Sequence, residues 1–225
     1  MAGLEASAGG KGIVSPDGSL QRAEIQIRRT EFDGTAYEAP TWEQMGQLNF
    51  KLISQIVESG HSFDRIVALA RGGWTWARDL ADGVQIPELS SIRYVSYTGV
   101  NESEEPRLVQ PLADSIAGQR VLLFDEVIDS GKTIVKAKRY LNEMGAELIE
   151  TAALCYKPRS EEAKPDFSAF QSNAWVVFPH EMREFVVSSS VKWRSLGLPD
   201  AQIIERLTVI GVPLEQAEFY LSKSA

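Results

Sequence analysis

The side chains best placed to do chemistry lie in Val121-Leu-Leu-Phe-Asp-Glu-Val-Ile-Asp-Ser-Gly-Lys-Thr-Ile134. Four apolar residues lead into two adjacent carboxylates, Asp125 and Glu126. A third, Asp129, precedes the small turn Ser130-Gly131-Lys132-Thr133, which opens an amphipathic segment. This order predicts a buried parallel strand, a loop of backbone N–H groups and a helix N-terminus. The first N–H groups of a helix lack intrahelical partners and its dipole favours negative charge, so the turn is an anion cradle. Carboxylates in front of it suit hydroxyl groups, because one carboxylate accepts from two neighbouring O–H donors. The implied ligand carries hydroxyls and a phosphate, as a ribose 5-phosphate does. Gly-Lys-Thr also ends a P-loop, but that pattern requires glycine where this chain has Glu126, whose carboxylate would face a triphosphate.

Three further places bear polar groups after apolar runs. Ala70-Arg71-Gly72-Gly73 follows one run, and two glycines there let backbone approach a ligand closely. The plain alternative is a tight strand-to-helix turn. Ser96-Tyr97-Thr98-Gly99 leads into a long polar insertion ending at Arg107, with the composition of a mobile lid. Arg107 reads equally as a solvated loop charge. Lys157 follows another run, and Ala174-Trp-Val-Val-Phe-Pro-His-Glu181 comes after it. Taken singly, Lys157 is a surface lysine and Trp175 a core aromatic on a strand.

The elements that position these groups alternate. Thr41-Trp-Glu-Gln44 has capping-box spacing and predicts a helix to about Ser59, ended by Gly60. Strands are predicted at 64–70, 91–97, 121–125, 148–156 and 174–178, with a short one at 23–28. Helices are predicted at 74–82 and 132–144, the latter closed by Gly145. Short buried strands alternating with helices give an α/β fold around a parallel sheet, whose ligands sit beyond the carboxyl ends of the strands. Gly197-Leu-Pro-Asp-Ala-Gln202 recurs as Gly211-Val-Pro-Leu-Glu-Gln216, and Pro199 and Pro213 sit where helices begin. Two short helices are predicted, about 199–209 and 213–222. Ile203, Ile204, Leu207, Leu214, Ala217 and Leu221 would be their buried faces, docked on the core or on another subunit.

Composition bounds the function. The chain has 225 residues, 44% hydrophobic and 24% charged, with a formal charge of −8. That is the balance of a soluble globular protein, and it argues against non-specific nucleic-acid binding. One cysteine, Cys155, excludes an internal disulfide, fits a reducing cytoplasm and reads as a buried small hydrophobe. No stretch reaches the length of a membrane span, and the first residues show no signal-peptide pattern. Two histidines are too few for a His-rich metal site.

The stretch from Val121 to Ile134 closely resembles the 5-phosphoribosyl-1-pyrophosphate (PRPP) signature of type I phosphoribosyltransferases, and the likeness extends over about residues 40–184. The resemblance implies that fold: a parallel sheet of about five strands flanked by helices, a small base-binding hood and here a C-terminal helical extension. Residues 1–22, small and polar and rich in Gly, Ala and Ser, read as a mobile tail. The phosphoribosyltransferase domain is then expected over 23–185, and 186–225 is an extension without a counterpart in the family. Asp129, Ser130, Gly131, Lys132 and Thr133 would hold the 5-phosphate, and Asp125 and Glu126 the ribose hydroxyls, directly or through metal. Arg71 and Gly72 would bind pyrophosphate, with a cis peptide between Ala70 and Arg71. Ser96, Tyr97 and Arg107 would belong to the lid.

The last part is similar to the 6-oxopurine branch. Lys157 would donate to the 6-oxo group, Trp175 would stack on the base, and Val176 would read its edge through the backbone carbonyl. Glu181 would help Asp125 and Glu126 hold Mg²⁺, and Asp129 would manage the proton at N7 as the catalytic residue. The resemblance thus implies a homodimeric purine-salvage enzyme condensing a 6-oxopurine with PRPP. Two readings stand beside it: a PRPP- or nucleotide-sensing regulator of the same fold, and an enzyme for another nucleobase. The chain departs from the family at Asp125-Glu126, where Asp-Asp or Glu-Asp is usual, and at Glu181, where Asp is usual.

Overall fold

The computed structural model describes residues 25–95, 98–99, 102–103, 105–158 and 163–223. The elements run β1 (Arg28–Phe32), β2 (Thr35–Ala39), α1 (Trp42–Ser59), β3 (Arg65–Ala70), α2 (Gly72–Gly83), β4 (Leu89–Val95), β5 (Thr98–Gly99), β6 (Glu102–Ser103) and β7 (Arg107–Gln110). They continue with β8 (Arg120–Ile128), α3 (Lys132–Glu143), β9 (Leu148–Tyr156), β10 (Phe167–Gln171), β11 (Trp175–Val176), α4 (Met182–Ser195), α5 (Asp200–Ile210) and α6 (Leu214–Leu221).

The main sheet has the order β10-β9-β8-β3-β4-β7. Its first five strands are mutually parallel, and β7 runs antiparallel along β4. Successive strand residues point to opposite faces, and both faces are covered. Ile66, Ala68, Leu122 and Phe124 pack with Met45, Leu48 and Leu52 of α1 and with Trp76 and Leu80 of α2. Val67, Leu69, Val121 and Leu123 pack with Ile134, Ala137 and Leu141 of α3.

Local chemistry explains the element ends. The Thr41 hydroxyl accepts from the Gln44 N–H and the Gln44 side chain accepts from the Thr41 N–H, closing the predicted capping box. Gly60 ends α1 in the left-handed conformation.

Several strands differ from the sequence reading. The first begins at Arg28 rather than at 23 and forms a hairpin with β2 through Asp33-Gly34, both at positive φ. Asp-Gly is the residue pair that such a tight turn prefers. The fifth parallel strand is β10, an edge strand that the reading passed over. It is tied to β9 by the Asp166 carboxylate, which accepts from the Thr151 N–H at 2.7 Å and the Thr151 hydroxyl at 2.8 Å. The strand expected at 174–178 shortens to β11, which pairs with β2 in a separate small sheet of order β1-β2-β11. Arg107 starts β7 instead of lying within a loop.

The small sheet carries its own core. Tyr37, Ala39 and Val177 pack with Phe185, Val186 and Trp193 of α4, Ile203 and Leu207 of α5, and Ala217 and Leu221 of α6. Helix α4, which sequence periodicity did not reveal, spans the expected boundary at Phe185. The predicted faces of α5 and α6 are buried at Ile203, Leu207, Ala217 and Leu221, whereas Leu214 is exposed. No helix among the described residues is long and apolar enough to cross a membrane.

Candidate active site

Strand β8 is longer than predicted and carries the acidic pair within it, with Asp125 opposite Ala153 of β9. Glu126 is buried. The Asp125 carboxylate accepts from the Glu126 N–H at 3.0 Å. The turn from β3 into α2 closes directly onto this pair, with glycine at both points of contact. A Cβ on Gly72 would stand 1.6 Å from Glu126 Oε1, and one on Gly73 would stand 3.2 Å from both Asp125 Cα and the Phe124 carbonyl. The peptide bond between Ala70 and Arg71 is cis.

Glu181, at the N-terminus of α4, and His180 come in beside Glu126. Ligand atoms of Glu126, His180 and Glu181 lie within 4.8 Å of one another. Glu126 Oε2 and His180 Nε2 are buried without a hydrogen-bond partner among the described residues. Burial raises the Asp125 carboxyl, and burial with the neighbouring Asp125 charge raises Glu126. Burial, then the charges of Glu126 and Glu184, push Glu181 up to about 7. Burial pulls His180 down to about 4. Three crowded carboxyls with so little cationic compensation fit a hard divalent cation with oxygen ligands, which is the preference of Mg²⁺. Asp125 lies beside this trio but is not one of its three members. Arg71, Gly72, Thr75, His180, Glu181 and Arg183 wall an open cleft of about 260 Å³. Across its mouth Arg71 Nη2 lies 3.5 Å from Glu184 Oε2.

The cradle sits where β8 passes into α3. Gly131 is left-handed, with φ 79°, and precedes the helix with no side-chain cap and no acid in the first turn. The first N–H groups of a helix lack intrahelical partners, which is what an anion site uses. Glu105 lies 3.7 Å from Lys132 Nζ and 2.9 Å from Lys136 Nζ, and Lys136 also donates to the Pro106 carbonyl at 3.0 Å. These contacts join the segment before β7 to the cradle helix.

Lys157 leaves β9 beside the end of β8, its N–H donating to the Ile128 carbonyl. Its side chain is 9% exposed, and Nζ donates to Asp129 Oδ2 at 3.2 Å. Trp175 is 55% exposed, so it is not the core aromatic of the plain reading, while Val176 beside it is buried. Both are held by β2, whose Glu38 carbonyl also accepts from the Val177 N–H at 2.7 Å.

The structure thus brings Gly72 and Glu181 onto Glu126, and Asp129 onto Lys157. Arg107 stands exposed at the start of β7. Ser96 and Tyr97 lie outside the described residues. Sequence reasoning missed His180, Thr75, Arg183 and Glu184. His180 had a signal, since it directly precedes Glu181. Thr75 and Arg183 occupy the first turns of helices whose faces could not be oriented without the fold.

A parallel α/β sheet with an acidic pair and a glycine-lined turn at the carboxyl end of its strands defines an α/β protein whose ligand site lies at that end of the sheet. The model of the phosphoribosyl transferase domain matches residues 40–184. A xanthine-guanine phosphoribosyltransferase from Gluconobacter oxydans is 26% identical over 158 residues, 69% of this chain and 91% of that protein. Among solved structures, a purine phosphoribosyltransferase from Pyrococcus horikoshii is 30% identical with a TM-score of 0.57, covering 64% of this chain and 93% of that one. A Neisseria gonorrhoeae protein with bound ppGpp is 25% identical with a TM-score of 0.56, covering 63% and 87%. The chain belongs to the phosphoribosyl transferase domain family, and within it to the purine phosphoribosyltransferases, which are pentosyl-transferring enzymes.

Proposed function

We propose that this enzyme condenses a 6-oxopurine (hypoxanthine, guanine or xanthine) with PRPP, giving the nucleoside 5′-monophosphate and pyrophosphate. The observation that carries this reading is the pairing of Lys157 with Asp129 across adjacent strands. A lysine buried at 9% exposure costs desolvation and persists only with a partner. A 6-oxopurine seated here would take the Lys157 ammonium on O6 and offer its N7 proton to Asp129. As the N9 lone pair forms the bond to C1′, the C1′–oxygen bond breaks toward pyrophosphate and Asp129 accepts the N7 proton. Trp175 would stack on the base and the Val176 carbonyl would face its edge.

Ser130, Gly131, Lys132 and Thr133 would hold the 5-phosphate on the α3 N-terminus, and Asp125 and Glu126 the ribose hydroxyls. Arg71 and Gly72 would hold pyrophosphate. Asp125, Glu126 and Glu181 would hold Mg²⁺, which supplies neutralising charge to the leaving pyrophosphate. Ser96 and Tyr97 would belong to a lid that keeps water from the reacting sugar, with Arg107 at its foot on β7. The small sheet and α4–α6 would be the hood, with residues after Phe185 as its buttress rather than a free extension. Val191, Leu214 and Phe219 remain exposed there and offer a homodimer a surface. The free thiol of Cys155 suits the cytoplasm.

Release of pyrophosphate, measured with PRPP and each nucleobase in turn, tests the reading. Turnover with adenine or pyrimidines alone refutes the base assignment. The rival is a nucleotide-sensing regulator, favoured by the likeness to a protein that holds ppGpp. Tight ppGpp binding with no turnover on any base would decide for it.

A further inference from the structure

His180 has no place in the reading above, yet it faces the same cleft as Arg71 and Gly72. Its ring is held among aromatic rings. Phe178 lies 5.4 Å away, Trp42 6.3 Å and Trp76 6.4 Å between centroids. Trp76 Nε1 approaches His180 Nδ1 at 3.4 Å. An indole N–H can only donate, so Nδ1 accepts. A ring that accepts at Nδ1 carries its single proton on Nε2. Turning the ring over would set a carbon against the indole N–H and lose the bond.

Nε2 is therefore an N–H donor, buried, with no acceptor among the described residues. Buried donors rarely stay unmatched, and the exceptions mark a role or a ligand. Glu126, His180 and Glu181 have the residue types of a metal trio. A protonated Nε2 has no lone pair to give a metal, however, so the carboxylates alone are left as ligands. The walls of the cleft include Arg71 and Gly72 but neither the cradle residues nor Lys157. What enters beside His180 is thus the ligand of the Arg71 loop.

We propose that His180 Nε2–H donates a hydrogen bond to an oxygen of the leaving pyrophosphate, and that Trp76 is the positioning residue that fixes the tautomer. This rests on the assignment of the Arg71 loop to pyrophosphate. A neutral donor adds a directed contact to the anion without adding charge next to the bound cation. It is poised before the C1′–oxygen bond breaks and needs no reorganisation when it does.

Two measurements on the full-length protein test this. The first is ¹⁵N–¹H correlation of the histidine rings, with His61 and His180 separated by a His61→Gln variant. The expected result is an Nε2–H tautomer for His180 that becomes mixed in Trp76→Phe. An Nδ1–H tautomer, or loss of the Nε2 proton on adding Mg²⁺ alone, overturns the proposal in favour of a metal ligand. The second is calorimetric binding of inorganic pyrophosphate with Mg²⁺. His180→Phe should bind about ten- to a hundredfold more weakly, the range for a hydrogen bond to a charged group. His180→Gln, whose amide N–H reaches near the place of Nε2, should keep most of the affinity. Binding of a nucleoside 5′-monophosphate should be unchanged in both. Equal pyrophosphate affinity in wild type and His180→Phe, or a Gln variant as weak as Phe, refutes the contact. If the wild type turns over no base yet loses pyrophosphate binding in His180→Phe, the reaction assignment falls and this contact stands.

Discussion

Alanine at Gly72 and at Gly73 should do opposite things, although the two positions are adjacent. A Cβ at Gly72 would sit 1.6 Å from Glu126 Oε1, 2.0 Å from its Cδ and 2.5 Å from Oε2. All three atoms are the far end of one side chain, so the clash is relieved by rotating Glu126 away, and no backbone need move. Alanine also favours the helix that starts there by up to about 1 kcal/mol over glycine. Gly72→Ala should therefore fold with a melting temperature within a few degrees of wild type. Its cost falls on chemistry, because the carboxylate proposed to hold metal has left its place. Losing one pre-oriented charge of this kind costs about 10²–10³-fold in turnover, and the Mg²⁺ needed for half-maximal rate should rise.

At Gly73 the nearest atoms are Asp125 Cα and the Phe124 carbonyl, both at 3.2 Å and both backbone of a central buried strand. They cannot rotate away. Overpacking of this kind costs about 1–3 kcal/mol, which for a chain of this size lowers the melting temperature by about 2–12 °C. The assay is pyrophosphate release over a Mg²⁺ titration, paired with thermal melts of each variant. A third variant closes the argument. In a Glu126→Ala background the Gly72 clash has no partner, so Gly72→Ala should add almost nothing to the loss, the non-additivity expected of residues in contact. If Gly72→Ala costs the same factor with and without Glu126, its effect runs through something else and the reasoning is refuted.

Asp129→Asn leaves the buried Lys157 ammonium facing a neutral amide, so it should fold but melt below the wild type, and it should lose about 10²–10⁴-fold in turnover, the span of general acid–base groups; unchanged turnover removes Asp129 from the mechanism. Lys157→Ala should raise KM for the purine far more than KM for PRPP, since it strips a donor from a dry site, and equal effects on both would dismiss Lys157 as the reader of O6. Leu207→Ala on α5, a fully buried position, should cost about 2–5 kcal/mol in a urea melt; a loss under about 0.5 kcal/mol would show that the last helices are not part of the folded unit.

The layers of the main sheet were legible because their signals are local. Apolar runs, the Thr41–Gln44 box and the closing glycines of α1 and α3 fix each element without reference to distant residues. β10 was missed because Phe167-Ser-Ala-Phe-Gln171 is short and lies at the sheet edge, where only alternate side chains need be apolar. α4 was missed because three serines, 188–190, blur its apolar stripe. Ser189 and Ser190 are nonetheless buried, and the Ser190 hydroxyl returns its hydrogen bond to the Val187 carbonyl. The cradle and acidic pair were readable because one strand and one turn carry them all. The Glu126–His180–Glu181 meeting was not, since it joins the middle of the chain to the start of α4 through tertiary folding alone.

That meeting also sets the pH response of the metal-free protein. Glu181 is raised to about 7 from an ordinary 4.5 by burial first, then by Glu126 and Glu184. Between those values the folded state holds a proton that the unfolded chain has released. This carboxyl makes stability fall as pH rises from about 4.5 to about 7, and level off above. Asp125 and Glu126 are raised as well and act in the same sense, whereas His180, held down at about 4 by burial, acts in the opposite sense up to its unfolded value near 6.5. The three carboxyls together outweigh the one imidazole. In chelator, the melting temperature should drop between about pH 5 and pH 7.5. Glu181→Gln should reduce the drop without abolishing it, because the acidic pair remains. Adding Mg²⁺ at the upper pH should recover stability, because a cation bound only by the folded state lowers the cost of ionising all three carboxyls. A melting temperature that climbs with pH in chelator, or a Gln variant with the full wild-type slope, would mean that these carboxyls are not crowded as described. The metal assignment would lose its physical basis with them.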